Sequence, residues 1–74
     1  MSWQLEPSYL DDCIPIGAVN GRKRWKSKDG KRLYTWDSLH GEIEVFNDRG
    51  RHLAVYSPDG DCIKGAVKGR KINV

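Results

Sequence analysis

Between residues 37 and 44 the sequence carries a concentrated set of proton-transfer groups, Asp37, His40, Glu42 and Glu44, in the pattern D-x-x-H-x-E-x-E. Carboxylates and an imidazole can divide general acid and general base work, since an imidazole with an ordinary pKa near 6.5 takes or gives a proton around neutrality. A second carboxylate beside the ring can orient it or raise its pKa. Internal transphosphorylation of RNA asks for such a set: a base for the 2′-hydroxyl proton, an acid for the departing 5′-oxygen, and positive charge for the pentavalent phosphate. Carboxylate, imidazole and guanidinium supply these without a metal. The spacing is not specific by itself, because alternating Glu on an exposed strand and a solvated loop histidine are ordinary features of small sheets.

These side chains converge only if the backbone brings them to one face. Arg32 to Trp36, Glu42 to Phe46 and His52 to Tyr56 are rich in aromatic and β-branched residues and read as strands. Ser27-Lys28-Asp29-Gly30, Asn47-Asp48-Arg49-Gly50 and Ser57-Pro58-Asp59-Gly60 are turn-forming clusters closed by glycine. Ser38-Leu39-His40-Gly41 reads as a further turn, since a single strand from residue 31 to 46 would exceed the usual length. A four-residue loop there pairs Asp37 with Glu42 and Thr35 with Glu44. Period-two alternation then sets Thr35, Asp37, Glu42 and Glu44 on one face and turns Trp36, Ile43 and Val45 to the core. On a straight chain His40, Glu42 and Glu44 would still share a face.

The expected fold is therefore mainly β: a short N-terminal helix followed by an antiparallel meander of about five strands. Ser8 serves as N-cap of a helix over Ser8 to Asp12, Pro15 stops it, and Ile16 to Gly21 reads as a connection. Residues 1–20 form an extension ahead of a domain over residues 21–74, within one globular unit. Trp25 and Trp36 are expected in the core, Tyr34 either there or stacked on a base, and His52 in a structural or solvated place.

With 74 residues, 38% hydrophobic and 31% charged, the chain suits one small domain. A fold of this size buries only about 60% of its unfolded surface, so a site should lie on the surface. No apolar run approaches the roughly 18 residues of a membrane span, and no membrane binding is expected of this domain. Cys13 and Cys62 match no metal-ligand spacing and read as free thiols, and no metal or cofactor is expected. The net charge of +3 is segregated. Residues 1–20 carry −3, and residues 21–32 carry +6 through Arg22, Lys23, Arg24, Lys26, Lys28, Lys31 and Arg32 against Asp29. Residues 33–63 carry −4, and the tail adds +4 from Lys64, Lys68, Arg70 and Lys71. Two basic stretches around an acidic centre favour a polyanion, nucleic acid first, with acids inside the basic frame for chemistry.

The run Gly21-Arg22-Lys23-Arg24-Trp25, and then Asp29 to Glu44 with its centre Tyr34-Thr35-Trp36-Asp37-Ser38-Leu39-His40-Gly41-Glu42-Ile43-Glu44, closely resembles the C-terminal cytotoxic ribonuclease domain of the rRNA-cutting colicins and cloacin. Gly50-Arg51-His52-Leu53 and Ser57-Pro58-Asp59-Gly60 fall where that family has its later hairpins, and Gly65 to Ile72 ends in the same basic manner. The resemblance covers roughly residues 21–72. It implies a strongly twisted antiparallel sheet and a toxin that cuts 16S rRNA once, at the ribosomal decoding site, and so stops translation. It implies delivery as part of a larger secreted or cell-surface protein, action in the cytoplasm of the target bacterium, and two partners: the small ribosomal subunit and an acidic cognate immunity protein. Residues 1–20 differ from the linker expected ahead of a colicin domain and suggest the exchangeable tip of a contact-dependent growth inhibition protein.

By resemblance, Glu44 is the general base, His40 the general acid, Asp37 the group that orients His40, and Arg70 the transition-state stabiliser. Exchange of the two proton roles stays open, and Lys68 or Lys71 are alternative counterparts of the arginine. Arg22 to Arg32, Lys68 and Lys71 supply RNA contacts, and Glu42 and Tyr34 are auxiliary. A non-catalytic RNA- or ribosome-binding β-module, and an inactive remnant that only binds immunity protein, are the competing readings.

Overall fold

The computed structural model describes residues 8–19 and 21–72, with Ser8 and Val19 as backbone only. Residues 1–7 of the expected N-terminal extension and the Ser8 side chain, expected as an N-cap, lie outside the described residues. Six strands form a single antiparallel sheet in chain order: β1 (Ile14–Val19), β2 (Arg22–Lys26), β3 (Arg32–Asp37), β4 (Glu42–Asn47), β5 (His52–Tyr56) and β6 (Cys62–Gly65). This is the mainly β meander read from the sequence, with one strand more.

Three of the turns are built alike. Gly30, Gly50 and Gly60 donate their N–H groups to the carbonyls of Ser27, Asn47 and Ser57 at 2.9, 3.0 and 2.9 Å. The side chain that opens each turn also accepts from the backbone where the next strand begins: Ser27 from Arg32 N, Asn47 from Arg51 N and Ser57 from Asp61 N. Short polar side chains that cap their own turn explain why Ser and Asn stand at these positions.

One face of the sheet holds the core. Trp25, Tyr34, Ile43 and Val45 are buried there with Leu10, and Trp36, Leu53, Ala54 and Tyr56 pack at its margin. The pairings Tyr34 with Val45 and Trp36 with Ile43 follow the expected alternation. Leu10 arrives from a 3-10 helix, Ser8–Asp12, that lies across this face. Tyr9 of the same turn sets its ring edge-on to Tyr34 and Tyr56, with centroids 5.7 and 5.5 Å apart. On the other face Leu33, Phe46 and Val55 are buried beside Thr35, Asp37 and Glu44.

Two expectations are corrected. The N-terminal helix is a single 3-10 stretch that closes with Cys13 N donating to Leu10 O at 3.0 Å, so Pro15 does not end it. Pro15 instead lies within β1, an edge strand, where a sheet tolerates a residue without an N–H. Ile16 to Gly21 is accordingly not a connection, because Ile14–Val19 pairs along β2 with a bulge between Pro15 and Gly17. The residues from Ile14 to Ala18 are all exposed, so this part of β1 leaves no alternating pattern to read.

Candidate active site

The β3–β4 hairpin has the expected register, Asp37 opposite Glu42 and Thr35 opposite Glu44. Both key acids are buried, Asp37 to 5% exposure and Glu44 to 7%, while Glu42 is half-buried. Asp37 organises the turn that follows it. Its Oδ1 accepts the N–H groups of Leu39 and His40 at 3.1 and 3.2 Å, and its backbone carbonyl accepts Gly41 N at 2.8 Å. Gly41 closes the turn with φ of 65°, a conformation glycine adopts without strain. The Oδ2 atom lies 2.8 Å from His40 Nδ1 and 3.9 Å from Arg22 Nη2. Burial alone would raise the Asp37 pKa, but the His40 ring, the His40 backbone N–H and the Arg22 charge together hold it below the usual carboxylate range. An ionised Oδ2 makes Nδ1 the donor, and Nε2 of the exposed His40 ring is left as its site for proton exchange.

Glu44 is held from two distant parts of the chain. Arg70 Nη1 donates to both carboxylate oxygens, at 2.8 and 3.1 Å. His52 Nε2 lies 3.1 Å from Glu44 Oε1, but off the line of a directed hydrogen bond. The ring is fixed from its other side, where Nδ1 accepts Val67 N at 2.9 Å, and it stands edge-on to Phe46. Burial depresses the His52 pKa, Arg70 depresses it further, and Glu44 opposes them. A neutral His52 that accepts at Nδ1 carries its proton on Nε2, the ring nitrogen nearer Glu44. Arg70 is set by its own backbone: its N–H donates to Val67 O and its carbonyl accepts His52 N, each at 3.1 Å.

The acid–base face opens on a groove of about 660 Å³ lined by Asp37, His40, Glu42 and Glu44, with Thr35 between them. Arg22, Arg24, Lys64, Arg70 and Lys71 line it as well. Of the expected RNA-contact residues, Lys23 lines a neighbouring groove of about 370 Å³ with Trp36 and Leu39, and Lys68 lines a third one. Lys26, Lys28, Lys31 and Arg32 line none of these. Tyr34 is in the core on the face away from the acids, its phenol pKa pushed up by burial and by Tyr9, so it is not exposed to stack on a base. Trp25 and Trp36 pack with the core as expected. Cys13 and Cys62 are free thiols.

Sequence reasoning missed Lys64 and the place of His52. Lys64 belongs to a short, fully exposed strand that pairs it with Val55, next along from the Glu44–Val55 pair. Its only sequence signal was its charge. His52 comes opposite Phe46 through a bulge between Val45 and Phe46, and no local pattern announces that shift.

The match with known proteins covers this machinery. The model of the family described as Cytotoxic matches residues 14–73. Colicin E3 of Escherichia coli is 42% identical over 53 residues, 69% of this chain and 10% of that protein. Colicin-E6 and cloacin, both of Escherichia coli, are 38% and 36% identical over 58 residues, in each case 76% of this chain and 10% of the relative. The chain thus spans about a tenth of the length of these relatives. The family match opens at Ile14, the first residue of β1, and runs past Arg70. Sheet, hairpin acids and terminal arginine all fall inside it, and the chain belongs to the Cytotoxic family, as a colicin-like toxin domain.

Proposed function

We propose that this domain is a toxin ribonuclease that cuts 16S rRNA at the ribosomal decoding site by metal-independent transphosphorylation, and so blocks translation. The observation that carries the reading is the presence of two acid–base units on one groove, Asp37 with His40 and Glu44 with Arg70. Glu44 takes the 2′-hydroxyl proton, the 2′-oxygen attacks phosphorus, and the bond from phosphorus to the 5′-oxygen breaks. His40 Nε2 gives its proton to that 5′-oxygen, leaving a 2′,3′-cyclic phosphate and a free 5′-hydroxyl. Asp37 on Nδ1 orients the ring and leaves Nε2 for the acid role. A guanidinium carries five N–H donors, so Arg70 can hold Glu44 and a phosphate together. Glu42 lines the same groove and adds field or a substrate contact.

The open site has few groups able to read base edges, so the ribosome presents the RNA. The small subunit and an acidic immunity protein are the proposed partners, and a larger secreted or cell-surface protein is the proposed carrier into the target cytoplasm. The test is incubation of the domain, and of His40→Ala, with intact bacterial ribosomes in EDTA, followed by a denaturing gel. The expected result is one short fragment from the 3′ end of 16S rRNA, absent with the variant. Intact rRNA would instead mark a non-catalytic RNA- or ribosome-binding module, and a smear or equal cutting of naked RNA would remove the decoding-site specificity.

A further inference from the structure

A groove of about 620 Å³ is lined by Arg70 but by none of the hairpin acids. One wall is the β4–β5 turn with Arg49 and Arg51, the other the C-terminal segment with Lys68, Arg70 and Lys71, and His52 lies between them. The walls are fastened together. Ile72 N donates to Gly50 O at 2.8 Å, His52 N to Arg70 O at 3.1 Å and Val67 N to His52 Nδ1 at 2.9 Å, and Arg51 and Lys71 form an antiparallel bridge. These cations therefore project from ordered backbone. Among the described residues no carboxylate lines this groove, whereas Asp37, Glu42 and Glu44 line the catalytic one. Five like charges gathered in this way repel one another, and a polyanion would relieve that repulsion. Arg70 and Lys71 line both grooves, so the two adjoin.

We infer that this groove is a second phosphate track, which binds the sugar–phosphate backbone of the RNA strand to one side of the bond that is cut. Arg49, Arg51 and Lys68 hold the flanking phosphates while Arg70 meets the reacting one. The ligand class rests on the ribonuclease reading above. RNA fits better than an acidic protein because the track adjoins the acid–base face and shares two cations with it.

The experiment measures binding of a short 2′-O-methyl oligoribonucleotide, which cannot be cut, by fluorescence anisotropy across a salt series. Arg49→Gln/Arg51→Gln is compared with Lys28→Gln/Lys31→Gln, an equal loss of charge at two residues that the sequence puts among the RNA contacts but that line neither groove. Each lost phosphate contact lowers the slope of log affinity against log salt by about 0.7 for a single strand, so the first pair should lower it by about 1.4 and the second by far less. Lys68→Gln should lower it by about 0.7, and thermal unfolding verifies that each variant is folded. Equal changes from the two pairs, or none, overturn the track. An unchanged slope with weakened capture of an acidic cognate protein also overturns it, and marks a protein-docking surface. The readout needs no cutting: intact rRNA in the ribosome assay with the slope difference preserved would overturn the catalytic reading alone.

Discussion

Asp37→Asn isolates one contact of the acid–base face. Asparagine keeps an Oδ1 acceptor for the N–H groups of Leu39 and His40, so the turn is retained. What changes is Oδ2, 2.8 Å from His40 Nδ1, where an amide N–H₂ would face a ring nitrogen that also donates. A hydrogen bond to a charged group contributes about 1.5–3 kcal/mol. The His40 side chain is 65% exposed, so solvent screening brings the figure to about 1–2 kcal/mol. At 1.36 kcal/mol per tenfold, that is a loss of about 5- to 30-fold in the chemical step. The assay is single-turnover cleavage of rRNA in intact ribosomes at saturating toxin, with thermal unfolding alongside. If Asp37 acts through His40, the same substitution in a His40→Ala background costs nothing further. An undiminished rate, or an equal loss in both backgrounds, would refute the positioning role.

Three further outcomes are expected. Removing Arg70 leaves Glu44 buried without its donor, so Arg70→Ala should lower stability by about 1–3 kcal/mol and cut the rate at least about 100-fold; because a single nitrogen serves both oxygens, Arg70→Lys should recover most of the Tm but not the rate. The folded pKa of His52 is below its unfolded value, so between about 6.5 and that folded pKa the unfolded chain binds more protons, and stability falls as pH drops through this window. His52→Gln should flatten the loss of Tm between neutral pH and that window, and an unaltered pH profile would exclude His52 as its source. Gly60 has φ of 97°, and a Cβ there would run into the Tyr9 ring. Gly60→Ala should therefore cost about 2 kcal/mol or more, visible by calorimetry as a Tm lower by roughly 8 °C or more, and an unchanged Tm would show that Tyr9 does not seal the core.

The β3–β4 hairpin is legible in the sequence because everything that makes it is local. A turn-forming loop, alternating side chains on either side and a capping Asp37 lie within a few residues of one another, so propensity and period agree on register and face. The resemblance of the same stretch to the colicin domains carries the family, and the matched family model bears it out. β1 shows the opposite case. With Ile14 and Ile16 both exposed, a proline inside the strand and a bulge after it, β1 is a strand only because β2 offers a free edge.

The sequence by itself determined the antiparallel meander, the carboxylate face of its central hairpin, and a basic chain suited to a polyanion. The tertiary structure alone decided how Arg70 and His52 meet Glu44 and how the cations divide between grooves. Arg70 reaches Glu44 across 26 positions, and His52 does so through a bulge, so neither contact leaves a periodic trace. Arg49 and Arg51 are hidden in a stretch whose net charge is negative, until the C-terminal segment folds back beside their turn and joins them to Lys68 and Lys71. Side-chain alternation acts over neighbouring residues, whereas a site made by chain return depends on backbone hydrogen bonds that any sequence can form, and composition does not say where they close.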